Sequence, residues 1–277
     1  MPNPTEQVLR DQQVAWAKKN GVWFNSKGYT ETLDANLKFQ ISAEAYSAFS
    51  VGLGKEIDPK QKYPKMQALH SSSALVVNVF DYWLRANNVS DIAKACGFSG
   101  SATSMRYEAK HPTPIGSVPH LDIEFRSKGS NILAIESKFN ESYEYHDWRE
   151  IKEKYVNPVV WAGLPNCYRL VEEIYHDDHT FWTYLDAPQL LKHILGLTNT
   201  YGKRKFTLLY LWYEIPSKES DDHKVEIKTF AEYVADDARF KSMTYQALFK
   251  RIEKIEGVSQ VYLDYIRSRY FSGYKVQ

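Results

Sequence analysis

Pro119-His-Leu-Asp-Ile-Glu-Phe-Arg-Ser-Lys-Gly-Ser-Asn-Ile-Leu-Ala-Ile-Glu-Ser-Lys-Phe139 reads as two strands joined by a short connection. Side chains alternate along a strand with period two. Ile132, Ala134, Glu136 and Lys138 therefore share one face of the second strand, and Leu133, Ile135, Ser137 and Phe139 the other. In the first strand, Leu121 to Arg126, the same rule puts Asp122 and Glu124 on one face and Leu121, Ile123 and Phe125 on the other. Arg126-Ser-Lys-Gly-Ser-Asn131 carries turn residues and a glycine, as a hairpin loop of four or five residues does. Pairing the strands brings Asp122, near the start of one, to the end of the next, beside Glu136 to Lys138.

Two carboxylates and a lysine in that position suit a hard divalent cation held beside a phosphate. Mg²⁺ takes oxygen ligands and keeps several waters, so one or two carboxylates suffice. A lysine at the rim orients or deprotonates a water, or stabilises charge on the reacting phosphate. A hairpin with its charges on a wet face would look the same residue by residue. What favours a built site is the apolar setting: the charges fall among Ile132, Ala134 and Ile135, and buried charges are costly unless paired or metal-bound.

Asp122 followed by Glu136-Ser-Lys138 at the end of an apolar strand resembles the PD-(D/E)XK signature of the restriction-endonuclease-like nucleases, with the Pro-Asp pair stretched to Pro119-His-Leu-Asp122. Tyr107 to Asp122 and Asp186 to Gly196 are also similar to bacterial sequences grouped as restriction endonucleases, and the likeness runs from about residue 66 to 255. It implies an α/β fold, a central mixed β-sheet flanked by α-helices, with additional N- and C-terminal helices. It implies a Mg²⁺-dependent DNA endonuclease, with Mn²⁺ as a substitute metal. Asp122 and Glu136 would hold the metal, joined by the Ser137 backbone carbonyl, with Lys138 as base or electrostatic partner. Gln189 enters on the same likeness, from a helix after the lysine strand. Glu108 is an accessory carboxylate in some relatives; a surface charge is the other reading. A catalytically silent nucleic-acid-binding or interaction module on the same fold stays open.

The 277 residues hold 35 basic and 34 acidic side chains, 43% hydrophobic residues and two cysteines, Cys96 and Cys167. Such a chain has material for one substantial core. A single domain over 1–277 is expected, with a helical N-terminal extension over 1–65, a core over about 66–255 and a C-terminal helix over 256–277. Two cysteines give neither a disulfide framework nor metal-ligand spacing. No apolar run approaches a membrane span, and the first residues lack the pattern of a secretory signal, so a cytoplasmic protein without membrane contact is expected. The near-zero net charge argues against a general nucleic-acid coat and leaves double-stranded DNA as the partner implied by the resemblance. Cutting both strands commonly uses two sites, which leaves a homodimer open as the assembly.

Pattern and caps place helices over Thr5–Lys19, with Thr5 as N-cap, Ala43–Val51, Ser71–Arg85, Val89–Cys96, Asp147–Tyr155, Leu170–Tyr175 and Ala187–Leu195, the last closed by Gly196. Further helices fall near 222–234, 245–255 and 259–270, with strands over 102–108 and Lys205–Ile215. Gln189, Lys192 and His193 lie at i, i+3 and i+4 and share a helix face; Lys192 and His193 are candidate phosphate contacts, or a solvated polar face. Lys203-Arg-Lys205 is a candidate contact to a DNA backbone, or a solvated turn. His176-Asp-Asp-His179 reads as a solvated loop, and Glu124 as an ion-pair residue.

Overall fold

β3 (Ile132–Lys138) is the middle strand of a five-stranded mixed sheet in a computed structural model that describes residues 4–51, 54, 56–143, 151–176 and 181–272. Its neighbours are β2 (His120–Arg126), antiparallel on one side, and β4 (Phe206–Trp212), parallel on the other. β1 (Ser104–Lys110) pairs antiparallel with β2, and β5 (Arg239–Thr244) pairs parallel with β4, giving the order β1-β2-β3-β4-β5. All seven residues of β3 except Lys138 are buried, as in a strand covered on both faces.

Helices form the two covering layers. α1 (Pro4–Lys19), α2 (Ala43–Val51), α3 (Ser72–Arg85), α4 (Val89–Ala95), α8 (Tyr245–Ile252) and α9 (Gln260–Ile266) contribute to one core, against Ile123, Phe125, Leu133, Ile135 and Leu209. α5 (Pro165–His176), α6 (Ala187–Tyr201) and α7 (Lys218–Val234) pack on Ile132, Ala134, Leu208 and Tyr210. The expected α/β sheet with flanking helices is therefore present. No helix among the described residues is long and apolar enough to cross a membrane.

Local chemistry explains the elements. α3 is apolar nearly all round, as a helix between sheet and outer helices must be, and Ser71 caps it by accepting from the Ala74 N–H at 3.1 Å. Such a cap contributes about 1 kcal/mol. α6 starts as its sequence indicates, Asp186 accepting from the Gln189 N–H at 2.9 Å. Beyond the end of α9 a turn of π-helix, Arg267–Phe271, buries Arg269. Its guanidinium donates to Asn36 O at 2.6 Å, to Gln13 Oε1 at 3.2 Å and to Leu69 O at 3.2 Å, and stacks over Trp16.

Several expectations are corrected. α6 does not stop at Gly196 but runs to Tyr201, and the left-handed glycine after it is Gly202, with φ +92°. Gly196 lies inside the helix because α6 crosses the His111–Pro119 connection there. A Cβ at 196 would sit 2.4 Å from the His111 carbonyl oxygen and 3.2 Å from Pro119 Cγ. Thr5 lies within α1 rather than capping it. β5 replaces a segment read as connection, and β1 extends to Lys110 rather than stopping at 108. Of the helix expected over Asp147–Tyr155, residues 147–150 lie outside the described ones, and Glu153–Tyr155 is a single 3-10 turn. The segment 177–179 also lies outside them.

Gly196→Ala should destabilise the protein by roughly 1–3 kcal/mol, the usual penalty of overpacking, although alanine is the better helix former by about 1 kcal/mol. Urea unfolding measures it; an unchanged or raised midpoint would contradict the tight crossing.

Candidate active site

Backbone pairing between β2 and β3 ends at Ile123↔Ile135. One step further, the Ser137 N–H faces β2 and finds no strand partner; the Asp122 carboxylate supplies the acceptor through Oδ2 at 2.7 Å. A residue's N–H and C=O leave a strand on the same side, so the Ser137 carbonyl also faces this gap. The Lys138 carbonyl faces the other way and accepts from the Tyr213 N–H at 2.9 Å. The Ser137 hydroxyl points into the opposite core and meets the Tyr245 hydroxyl at 2.7 Å.

The gap has a backbone cause. Glu108 lies across from Asp122, between the pairs Tyr107↔Ile123 and Ala109↔Leu121, and has φ +49°. That left-handed conformation costs a non-glycine residue on the order of 1–3 kcal/mol. Both strands change sides here. Tyr107 and Ile123 pack in the α3 core, whereas Ala109 and Leu121 pack in the α6 core. Strict alternation, which placed Leu121, Ile123 and Phe125 together, is broken at the residue whose carboxylate enters the site. Glu108 then turns to His120, with Nδ1 and Oε2 3.1 Å apart.

Glu136, 3% exposed, lies in the α6 layer with both oxygens engaged. Lys138 Nζ donates to Oε1 at 2.7 Å, and His193 Nε2 lies 3.0 Å from Oε2. Lys138 Nζ donates a second time, to Gln189 Oε1 at 2.7 Å, leaving one of the three ammonium hydrogens for an incoming group. Burial opposes ionisation of Glu136, but Lys138 and His193 overcome it and hold the carboxyl down to about 2. Asp122 is pushed well above the usual carboxylate range by burial and then by the negative Glu136. Burial works against the Lys138 ammonium too, yet Glu136 and Glu141 outweigh it and raise its pKa. Glu108 is raised, chiefly by burial.

The structure thus gathers Asp122, Glu136, Ser137, Lys138 and Gln189 and adds Glu108 at the rim. His193 is buried against Glu136 rather than lying on a solvated face. Lys192 lies over the Tyr155 ring at 5.7 Å, with its pKa lowered by burial. Lys203, Arg204 and Lys205 sit at the start of β4, the sheet end opposite Glu136. Lys203 pairs with Asp237 at 3.1 Å, and Arg204 donates to Ala235 O at 2.5 Å.

Sequence reading missed Glu141 and Glu56. Glu141 accepts from the Phe139 N–H at 2.8 Å and from the Ser72 hydroxyl, and Ser73 donates to Glu56 at 2.7 Å. The start of α3 is thereby tied to the strand that carries Lys138. Glu141 stands only three positions after Lys138, which is a signal; Glu56 is in a loop that offers none. Glu124 is the ion-pair residue expected, fully buried between Arg106, Arg126 Nε at 2.6 Å, His111 Nε2 at 2.8 Å and the Tyr201 hydroxyl at 2.8 Å.

The donors fit Mg²⁺. No group of three or more His, Cys, Asp or Glu able to hold a metal occurs among the described residues, and Mg²⁺ does not require one, being bound through one or two carboxylates and waters. Two mutually repelling carboxylates beside a carbonyl that faces the same gap are such a set.

A family model described as restriction endonuclease associating with ARP matches residues 6–271. The chain belongs to that family. The match takes in all nine helices and five strands of the described residues apart from the first two residues of α1. No curated protein and no solved structure matches the chain. Membership of a restriction-endonuclease family gives the chain a nuclease-like role.

Burial opposes the Glu124 charge, but hydrogen bonds from His111, Arg126, Arg106 and Tyr201 override it and bring the carboxyl from 4.5 down to about 2. A depressed carboxyl stabilises the fold fully above its unfolded value and loses that contribution as pH falls through the folded value. Wild type should therefore exceed Glu124→Gln in stability by about 3 kcal/mol near neutral pH. The gap should shrink between about pH 4.5 and 2. Denaturant titrations at several pH values would show it; a pH-independent gap would contradict the ionised cluster.

Proposed function

We propose that this chain is a Mg²⁺-dependent DNA endonuclease of restriction type, hydrolysing phosphodiester bonds in double-stranded DNA, with Mn²⁺ as a substitute metal. The observation that carries the reading is the interrupted β2–β3 pairing. It leaves the Asp122 carboxylate and the Ser137 carbonyl facing one gap, beside Glu136 and Lys138.

Asp122, Glu136 and the Ser137 carbonyl would hold the metal. Bound there, Mg²⁺ would acidify a water and neutralise charge on the phosphate. Lys138 serves as an ammonium rather than a base, because it is pinned between Glu136 and Gln189 and its pKa is raised. Its remaining hydrogen would be available to the attacking water or to a phosphate oxygen, where a fixed donor stabilises developing charge. Gln189 holds the lysine in place. His193 fixes Glu136 from behind and acts as a positioning residue. Cutting both strands at one position takes two such sites, which makes a homodimer on DNA the expected assembly.

Incubating plasmid and phage DNA, modified and unmodified, with the protein and Mg²⁺ tests the reading. Cleavage should vanish with chelator and fall at least a hundredfold in Lys138→Ala and in Asp122→Asn, with melting temperatures showing both variants folded. Wild-type rates in either variant would overturn the assignment. DNA binding without cleavage by the wild-type chain would favour a silent binding module on the same fold.

His193→Ala should separate positioning from chemistry. The Mg²⁺ concentration for half-maximal cleavage should rise several-fold, while the rate at saturating Mg²⁺ falls less than about tenfold. Equal loss at all Mg²⁺ concentrations would remove His193 from that role.

A further inference from the structure

At the sheet end away from the carboxylates, a cavity of about 430 Å³ opens below the first residues of β3, β4 and β5. Ile132 is four residues from Glu136 along β3, so about 13 Å of strand separates the two places. Arg204, Lys205, Arg239 and Lys241 line the cavity, and its lining contains no aspartate or glutamate. In a chain with 35 basic and 34 acidic side chains, that is a local excess of one sign.

Strand register produces the excess. Thr207 pairs with Arg239 and Leu209 with Lys241. Thr207 and Leu209 follow one another at spacing two, as do Arg239 and Lys241, so two cations and a threonine hydroxyl fall on one face, and Lys205, just before β4, lines the same cavity. Leu209 is covered by the α3-side core, whereas Lys205, Arg239 and Lys241 are exposed. Arg204 is committed to the Ala235 carbonyl near the end of α7. The other three form no ion pair among the described residues. Exposed lysines on a convex face would be ordinary solvation. Here the cations surround a concave space of the size ligands occupy, floored by Phe98 and Leu133.

We propose that this cavity is an anion site, separate from the Asp122 centre, which binds the phosphate groups of a nucleotide, either free or within a nucleic-acid strand. Three unpaired cations and the Thr207 hydroxyl provide the donors that phosphate oxygens require, and the apolar floor accepts the non-ionic part of the ligand. The proposal stands independently of the nuclease reading, since none of its residues belongs to the Asp122 site.

Full-length protein in chelator is titrated with ATP by calorimetry and, separately, with a fluorescein-labelled single-stranded oligonucleotide by anisotropy. At least one probe should bind, more weakly as salt rises. R239E/K241E should weaken that binding at least tenfold, while Asp122→Asn leaves it unchanged. If R239E/K241E lowers the melting temperature, R239Q/K241Q carries the test, with a smaller loss in the same direction. Binding of ATP assigns a free nucleotide; binding of the oligonucleotide alone assigns strand phosphates. Failure of both probes to bind wild type, or binding indifferent to both pairs of substitutions, would overturn the proposal, whatever the outcome of the cleavage assays.

Discussion

One hydrogen bond organises this molecule's chemistry: the Ser137 N–H to the Asp122 carboxylate. A sheet normally satisfies such a group with the neighbouring strand, and an unmet buried N–H costs about 1–3 kcal/mol. Substituting a side-chain carboxylate for the strand carbonyl keeps that group satisfied while the two backbones separate. The separation makes room, directs the Ser137 carbonyl into it and brings Asp122 close to Glu136. Everything else compensates for the resulting charge. Lys138 and His193 neutralise Glu136, Gln189 steadies Lys138, and α6 is pressed close enough that a Cβ at position 196 would meet the His111 carbonyl.

Much of this is legible in the chain itself. The alternation of β3 correctly paired Glu136 with Lys138, and the turn residues after Phe125 correctly gave a hairpin. Asp186 marked the start of the helix that delivers Gln189. What periodicity could not show is where periodicity fails. The left-handed residue Glu108 has no glycine to announce it, so the change of sides at Asp122 was invisible. Gly196 was ambiguous for the opposite reason: a glycine near the end of an apolar run marks a helix stop or a close crossing equally well. β5 was missed because Arg239, Lys241 and Ser242 make it polar, as an edge strand is. His193 reads as part of a polar stripe, and only the depth of α6 in its layer reveals that it is buried.

The two ends of the sheet carry opposite chemistry. At one end, carboxylates are drawn together against their own repulsion. At the other, β3, β4 and β5 begin around a cavity lined by cations and by no acid. A near-zero net charge therefore describes the sum and hides the arrangement.

Arg269 links the order of synthesis to the order of folding. Its guanidinium fills the space between Gln13, Asn36, Leu69 and Trp16, residues translated some two hundred positions earlier. Until it arrives, Asn36 and Leu69 lack its donors and the α3-side core lacks Tyr270 and Phe271. The sheet residues around Asp122 and Glu136 depend on that core for one of their two faces. A ribosome-bound chain that already contains every residue of the candidate site is therefore still short of the fold that arranges them.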